Sequence, residues 1–558
     1  MLIGLDVGGT HIDAVIIDDR KIIKIVKKPV DQADLETSIW QTIEELILDV
    51  EVSKIEQINL STTISTNAIV ENKTSKVGMI IQNGPGLANN LLRLTADDVF
   101  ISGYTDHRGI IVKQFNSEEI DKAIKHFKTK NVDSIGVATK FSPRNPLPEQ
   151  TLEKHLKKDF SVVSLSHQLS GRLNFPRRIK TTFLNASIQQ IFQNFANNIT
   201  ASLNQKNISA PIYILKADGG IISLAEALKR PVETILSGPA ASLMGFQGLM
   251  NTKGDAILLD IGGTTTDIFI LADGVFLFEP LGIQIANHKT LIRAIFSKSI
   301  GLGGDSAIKI VNNKLTIGPK RDGKAFSLGG PTPTLTDAFI YLEKLKIGEK
   351  KKAELAMQLL GNQLSLSPLA TAKLIIDHFS LTLKEEITQV LAAVNNKPVY
   401  TIKELLYGKA IIPQSINIIG GPAKLLAPAI EKHFNLKCNF PEQYATANAI
   451  GAALSKTTGE INLHIDTSKQ TLIVPELGLI KKINKDLTLA DARKLAFEYL
   501  TISVFKNEKM GADELEIIDE SSFNMIDGFY LKGKNIRIKT QVKPGLIYRL
   551  GGETDEKN

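Results

Sequence analysis

The chain of 558 residues is 43% apolar and 22% charged, enough for two to four globular domains with sizeable cores. Its net charge of +7 is small for that length, and its lysines are scattered (Lys27-Lys28, Lys157-Lys158, Lys350 to Lys352) without interleaved aromatics, which reads as solvated surface and argues against a nucleic-acid partner. The single Cys438 excludes an intramolecular disulfide and a cysteine-based zinc cage; with no apolar run of the ~20 residues a membrane span requires and no leader-like N-terminus, a cytoplasmic protein is expected.

Residues 1–30 predict a hairpin. Ile3 to Asp19 reads IGLDVGGTHIDAVIIDD: an apolar run ending at Asp6, a Gly8-Gly9-Thr10 turn, Asp13, and a second apolar run. A helix follows near 34–49, with Leu35, Ile39, Ile43 and Leu46 at helical spacing. Ile58 to Leu60 reads as a short buried strand leading into Ser61-Thr62-Thr63-Ile64-Ser65-Thr66-Asn67 and a helical Ala68 to Glu71. Strands at Val77 to Ile81 and Ile135 to Ala138, separated by a helix opening at Ser117, alternate as in an α/β sheet.

A long helix from Thr181 to about Asn204 begins a second region, with strands expected at Ile212 to Leu215 and Ile257 to Leu259. Between them Ser237-Gly238-Pro239-Ala240 reads as a helix start with a polar cap and a proline in the first turn. Residues 331–410 form a mostly helical insert, Ile416 to Ile419 a strand ending in Gly420-Gly421-Pro422, and Ala445 to Leu454 a helix of small residues. After about 458, short strands (Thr471 to Val474, Ile536 to Thr540, Leu546 to Leu550) surround one helix near 489–505, and 551–558 reads as a frayed tail. The expected domains are therefore 1–170, 171–457 with its insert, and a small α+β unit at 458–558.

The chain says nearly the same thing twice. Ile257 to Asp273 reads ILLDIGGTTTDIFILAD, which pairs Asp260 with Asp6, Gly262 with Gly8, Gly263 with Gly9, Thr264 with Thr10, and Asp267 with Asp13. A single such turn is as well explained as a plain hairpin, but a structural turn gives no reason to repeat the second aspartate. Glycine lacks the Cβ that blocks close approach, so the two turns, with Thr265 and His11 beside them, suit a phosphate chain gripped from two sides. Asp6 and Asp260, at strand ends facing each other across a cleft, suit Mg²⁺ held through its waters. His11 either touches a phosphate or caps its hairpin.

Three more glycine clusters fit such a site. Gly301-Leu302-Gly303-Gly304-Asp305 can wrap phosphate or ribose, Gly420-Gly421-Pro422 suits an adenosine-contacting loop, and Lys216-Ala217-Asp218-Gly219-Gly220 ends a third strand. Taken singly, each reads equally well as a turn or helix cap. Other signals fail. Gly528 to Asn535 reads GxxxxGKN, but Asn535 cannot supply the hydroxyl a P-loop gives to Mg²⁺, so a hairpin turn is expected. No GxSxG elbow and no HxxxH pair occurs among the nine histidines.

The paired DxGGTxxD turns resemble the phosphate motifs of the ATPase superfamily that contains actin, sugar kinases and Hsp70. Within it the chain is similar to the A-type subunit of the hydantoinase/oxoprolinase family. The supporting segments run in order: Leu5 to Thr10, Ser61 to Ala68, Ser142 to Pro146, Thr181 to Ala186, Ser237 to Ala240, Asp260 to Asp267, Ser299 to Ser306, Leu335 to Ala338 and Ala447 to Ala452. They cover about residues 1–455; the tail after 458 is the least family-like part, and the chain is shorter than the family's usual A subunit.

The resemblance implies an α/β fold of two actin-like (ribonuclease H-like) ATPase domains flanking a nucleotide cleft. It implies ATP and Mg²⁺ as cofactors and ATP-dependent opening of a cyclic amide such as a hydantoin or 5-oxoproline through carbonyl phosphorylation, with a B-type subunit as partner and an oligomeric assembly. Asp6, Asp13, Asp260 and Asp267 would be the catalytic carboxylates. Thr62, Thr63, Thr66, Asn67 and Arg144 would line or support the substrate side; a capped helix start explains Thr62 to Asn67 equally simply, and a surface ion pair explains Arg144. A small-molecule kinase, a carboxylase subunit, and a non-catalytic nucleotide-switched activator share these motifs.

Overall fold

The computed structural model describes residues 1–31, 34–279, 281–396, 410–505 and 514–550. Two mixed sheets carry the duplicated hairpins. The first has six strands in the order Ile221–Ser223, Ile212–Leu215, Gln57–Thr62, Leu2–Val7, His11–Asp18, Lys21–Pro29. Leu2–Val7, Gln57–Thr62 and Ile212–Leu215 run parallel, and the other pairings are antiparallel. The second repeats the plan: Ala256–Ile261 pairs antiparallel with Thr266–Ala272 and parallel with Ser415–Ile419. Each central strand is buried on both faces, as its unbroken apolar run requires.

One strand is not where the sequence suggests. Ile212–Leu215, expected in the second region, lies against Gln57–Thr62 in the first sheet, where Ile214 packs with Ile58 and Leu60. The chain leaves the first sheet after Thr62 and builds a separate all-parallel sheet from Val77–Gln82, Val99–Phe100, Ser134–Thr139 and Val162–Leu165. It then returns along the helix Phe175–Gln205, whose Ile179 packs with the inserted sheet and whose Phe192, Phe195 and Ile199 join the first sheet's core. That helix starts six residues before the expected Thr181, because Asn174 caps it and Pro176 sits in its first turn.

The insert is helical as expected, with Leu335–Tyr341, Lys350–Leu364 and Pro368–Asn395 covering one face of the second sheet; its last part, 397–409, lies outside the described residues. The C-terminal unit is an antiparallel sheet, Leu479–Lys482, Thr471–Val474, Glu460–Asp466, Tyr530–Val542, Leu515–Asp527, on which the helix Leu489–Phe505 packs through Ala492, Ala496 and Leu500. Only residues 535–541 of its long hairpin are backed by Glu460–Asp466, so the distal half is a two-stranded ribbon exposing Phe523, Ile526, Phe529 and Leu531. Gly528 to Asn535 is the tip and return strand of that ribbon, a hairpin as expected. Leu546 to Leu550 is not a strand. Leu546 bridges to Ser455, and with Tyr548 and Leu550 it folds back on Leu2, Val15 and Ile17 of the first sheet. The tail expected to fray, 551–558, lies outside the described residues.

Two short helices of small residues, Ser237–Leu249 and Ala447–Leu454, join the lobes by crossing at backbone distance. A Cβ on Gly245 would stand 1.8 Å from the Ala447 carbonyl oxygen, one on Gly451 2.0 Å from that of Ala241, and one on Gly4 2.1 Å from that of Ala449. Ser237 does not cap its own helix: its hydroxyl donates to the Thr62 carbonyl (2.9 Å) and accepts from the Thr62 N–H (3.2 Å), fastening the helix to the first sheet. Gly245→Val and Gly451→Val are therefore expected to cost at least ~2 kcal/mol by overpacking, read as a lower urea midpoint, or to prevent folding. Gly421→Ala, whose Cβ would meet nothing within 4 Å, should shift stability by no more than about 1 kcal/mol.

Candidate nucleotide site

The two hairpins meet across a cleft of about 650 Å³ whose wall includes Asp6, Asp13, Asp260 and Asp267. Each turn closes in the same way: the Gly8 N–H donates to the His11 carbonyl (3.0 Å) and the Gly262 N–H to that of Thr265 (2.9 Å). Those first glycine amides are thus consumed by the turn, while Gly8 and Gly262 still line the cleft together with Gly9, Thr10, Gly263, Thr264 and Thr265. Strand register sets the acids. Asp6 lies directly opposite Asp13 and Asp260 directly opposite Asp267, so each hairpin brings like charges together, an arrangement that destabilises a sheet.

Asn448, on the helix Ala447–Leu454, brings the two halves into one site. Its Nδ2 donates to Asp6 Oδ2 (3.4 Å) and to Asp260 Oδ2 (3.3 Å), so the two carboxylates lie within reach of a single amide. Ser242 Oγ donates to Asp260 Oδ2 at 2.5 Å, and Lys27 reaches both oxygens of Asp13 at 2.7 and 2.9 Å. Little else neutralises the acids. Asp6 Oδ1 and Asp267 Oδ1 are buried with no hydrogen-bond partner. Burial, reinforced by Asp13 and Asp260, pushes the Asp6 carboxyl up to about 7; burial and Asp260 do the same to Asp267. Burial also raises Asp260 and, against the pull of Lys27, Asp13.

The same cleft also carries an apolar wall, Phe339, Leu345, Ile347, Leu425 and Tyr444, with Gly420, Gly421 and Pro422; Gly420 packs against Asp260 itself. Gly304 and Asp305 line it as well. The Gly304 and Asp305 N–H groups donate to the carbonyls of Gly262 and Gly263 (2.9 and 2.7 Å), and Asp305 is held by Thr336 Oγ1 (2.9 Å) and Arg321 (3.0 Å). His11 stands on the wall with Nδ1 3.0 Å from Thr10 Oγ1; burial, then Lys27, lowers its pKa.

Several expected residues stand elsewhere. Gly301 and Gly303 lie behind the second hairpin: Cβ atoms there would stand 2.6 Å from Pro319 and from the Gly263 backbone, so these glycines permit packing and do not line the cleft. Of Thr62, Thr63, Thr66 and Asn67, only Thr63 is on the wall. Thr62 is bonded to Ser237, Thr66 Oγ1 accepts from the Leu236 N–H (3.0 Å), and Asn67 donates to Thr63 Oγ1 (3.2 Å), which makes this segment a helix start pinned to the strap before Ser237–Leu249. Arg144 lies away from the cleft with its guanidinium against His464 of the C-terminal sheet, and burial together with Arg537 lowers its pKa to about 9.

Sequence reasoning assigns no role to Lys27, Ser242, Arg321, Thr336 and Asn448, nor to the apolar wall residues Phe339, Leu345, Ile347, Leu425 and Tyr444. Lys27 reads as surface; its signal lies in the third strand, where the register puts it opposite Asp13. Ser242, Thr336 and Asn448 come from helices distant in sequence, and Thr336 and Asn448 stand inside segments that carry the family resemblance without a role of their own.

The electrostatics fix a pH dependence. Between pH about 4 and about 7 the folded protein keeps protons on Asp6 and Asp267 that the unfolded chain has released. Their contribution to stability is complete below that window and is lost as pH rises through it. The urea midpoint of the nucleotide-free protein should therefore fall from about pH 5 to about pH 8, and Asp267→Asn should flatten the slope. A profile that the substitution leaves unchanged would contradict the assignment.

Comparison with known proteins converges on one family. A family model described as Hydantoinase/oxoprolinase matches residues 178–461, and one for the Hydantoinase/oxoprolinase N-terminal region matches residues 2–160. Among curated relatives, an uncharacterized protein of Methanocaldococcus jannaschii is 26% identical over 392 residues (62% of this chain, 57% of that protein). Caprolactamase subunit alpha of Pseudomonas jessenii is 22% identical over 464 residues (75% and 64%). The 5-oxoprolinase of Saccharomyces cerevisiae is 27% identical over 248 residues (42% and 19%). The matches thus span less than two thirds of these relatives' own length. Among solved structures, a nucleotide-free acetone carboxylase superposes with a TM-score of 0.71 at 16% identity, covering 100% of this chain and 89% of its own. The ATP-dependent caprolactamase of Pseudomonas jessenii gives 0.70 at 18% identity, covering 97% and 87%; likeness at these identities shows the fold. Among the described residues no helix is long and apolar enough to cross a membrane. With family models covering most of its length and a fold shared with these structures, the chain belongs to the hydantoinase/oxoprolinase family.

Proposed function

We propose that this chain couples ATP cleavage to the opening of a cyclic amide, as the A-type half of an enzyme completed by a second subunit. The observation that carries the reading is the gathering of four carboxylates, two with orphaned oxygens and two raised to about 7, beside an apolar wall in one cleft. Such a floor is unfavourable without a cation.

Mg²⁺ bound to a triphosphate fits that floor. Among the described residues no three His, Cys, Asp or Glu side chains form a metal cage, which suits an ion that keeps most of its waters and takes other ligands from phosphate oxygens. Asp6 and Asp260 would hold it, through water, and it would neutralise charge on the transferred phosphoryl group. Asn448 and Ser242 fix the two carboxylates, Lys27 restrains Asp13, and the turns at Gly9-Thr10 and Gly263-Thr264-Thr265 would take the phosphates from both sides. The adenine would lie against the wall at Phe339, Pro422 and Tyr444.

The chemistry follows from the poor electrophilicity of a lactam carbonyl. Attack of the carbonyl oxygen on the γ-phosphorus forms a C–O–P bond and breaks the bond to ADP. Water then adds to the activated carbon and the ring C–N bond breaks with a proton delivered to nitrogen, which leaves an acyl phosphate; a second water hydrolyses it to the carboxylate and phosphate. The products are ADP, phosphate and the ring-opened compound, an amino acid from 5-oxoproline or caprolactam and an N-carbamoyl amino acid from a hydantoin. A partner subunit is supported by the relative named as caprolactamase subunit alpha.

The test is phosphate release from ATP and Mg²⁺ with a panel of hydantoin, 5-oxoproline and caprolactam, with and without a candidate second subunit. Stimulated release with a ring-opened product is expected. A stable phosphorylated product would replace this reading with a kinase, and stimulation by a ketone with bicarbonate would replace it with a carboxylase subunit. Asp260→Asn should lower ATP turnover at least ~100-fold while leaving the fold intact, as judged by circular dichroism and urea melting. Undiminished turnover would refute the site assignment.

A further inference from the structure

Arg144 belongs to a cluster of hydrogen-bond donors that spans two parts of the molecule. It closes the turn after the strand Ser134–Thr139, where its N–H donates to the Phe141 carbonyl (2.8 Å) and Asn145 ties the turn to the Gly109 carbonyl (2.8 Å). From there its side chain reaches the C-terminal sheet, and the guanidinium donates to His464 Nδ1. Arginine has no acceptor, so Nδ1 accepts and the ring proton sits on Nε2, a further donor. Arg537 pairs directly opposite His464, on the face turned away from the buried Leu463, Ile465, Ile536 and Ile538. Arg144 and His464 are 7% and 9% exposed, while Arg537 stands in solvent.

These cations have no counter-charge. Among the described residues neither guanidinium makes an ion pair: Arg537 Nε donates to Asn535 Oδ1 (3.2 Å), and the charge that acts on Arg144 is that of Arg537. The acids on the surrounding segments are engaged elsewhere. Asp106, in the loop that packs on Arg144, accepts from the Arg108 and Ile110 N–H groups (2.9 and 2.8 Å). Asp466 accepts from Ser468 Oγ (2.7 Å) and the Lys469 N–H (3.0 Å). Glu520 takes both forks of Arg493 (2.6 and 2.7 Å), and Lys539 pairs with Glu460 (2.7 Å) and stands opposite Asp519. A buried guanidinium set beside a second one, with no carboxylate between them, is costly.

We infer that Arg144, His464 and Arg537 form an oxyanion site that takes a phosphate group, free or carried on a small molecule. The cluster offers donors and no acceptor. A planar carboxylate fills one guanidinium fork and supplies one charge, whereas a tetrahedral dianion offers oxygens to both forks and to the imidazole N–H, and its second charge answers the second guanidinium. Arg537 at the exposed rim would meet the anion first and Arg144 would anchor it beneath. Bound there, it would tie the inserted parallel sheet, which supplies Arg144, to the C-terminal unit, which supplies the other two. None of the three lines the nucleotide cleft.

The test is calorimetry and thermal shift on the full chain without nucleotide, at matched ionic strength. Inorganic phosphate and glycerol 3-phosphate are the probes, and acetate and chloride the controls. Saturable binding of at least one probe, at least tenfold tighter than either control, is expected. Tighter binding of the free ion would assign the site to phosphate itself, and of the ester to a phosphorylated small molecule; both support the site. Arg537→Gln should weaken binding at least tenfold and remove the rise in melting temperature, and Arg144→Lys, which keeps the charge but loses the fork, should weaken it as well. Because Arg537 is exposed, its variant should keep the fold by circular dichroism, and it decides the question even if the buried one does not fold. No saturable binding of either probe, equal binding of acetate, or binding that Arg537→Gln leaves unchanged would overturn the inference. Binding of a fluorescent ATP analogue with Mg²⁺ should be the same in Arg537→Gln as in the unaltered chain. Should the analogue bind neither, the nucleotide site fails while the phosphate result stands.

Discussion

Like charges held face to face are the constraint around which the molecule is arranged. Asp6 against Asp13 and Asp260 against Asp267 are unfavourable cross-strand pairs, and one asparagine gathers two of them into a common floor. A hairpin selected for stability alone would place a β-branched or aromatic residue at such positions. Two hairpins making the same costly choice in one cleft mark it as the candidate functional site.

That floor depends on the seam beneath it. Asn448 and Ser242 reach the carboxylates only because their two helices cross at backbone distance, with glycine or alanine wherever a larger side chain would intervene. Ser237 and Asn59 extend the seam into the first sheet: Asn59 Nδ2 donates to the carbonyls of Ala452 and Ala453 at 2.8 and 3.1 Å, satisfying groups that a helix end leaves without partners. Small residues in these helices therefore serve geometry, and through geometry the electrostatics of the site.

Much of this was legible in the sequence, and the unread parts share a cause. The repeated Asp-Xaa-Gly-Gly-Thr turns, the helical insert, the small-residue helices and the tail's change of texture all lie in local pattern, which short-range propensity and periodicity report well. Long-range pairing is what they do not report. Ile212–Leu215 looks like any buried strand, and only the return of the helix Phe175–Gln205 puts it back in the first sheet. Gly301 and Gly303 look like phosphate-binding glycines but are needed where one backbone passes over another. Thr62 and Thr66 carry hydroxyls suited to a substrate, yet Thr62 Oγ1 accepts from the Ile64 N–H and Thr66 Oγ1 from the Leu236 N–H. Lys27 lies one strand beyond the motif, and a motif-centred reading stops before it.

The close crossing of the two central helices also determines how the molecule can move. With peptide groups touching and no side chain between them, that crossing cannot lengthen or slide by much. Any opening of the lobes has to turn about it like a jaw about its fulcrum. The carboxylates, held by Ser242 and Asn448 of those same helices, would keep nearly the same spacing throughout.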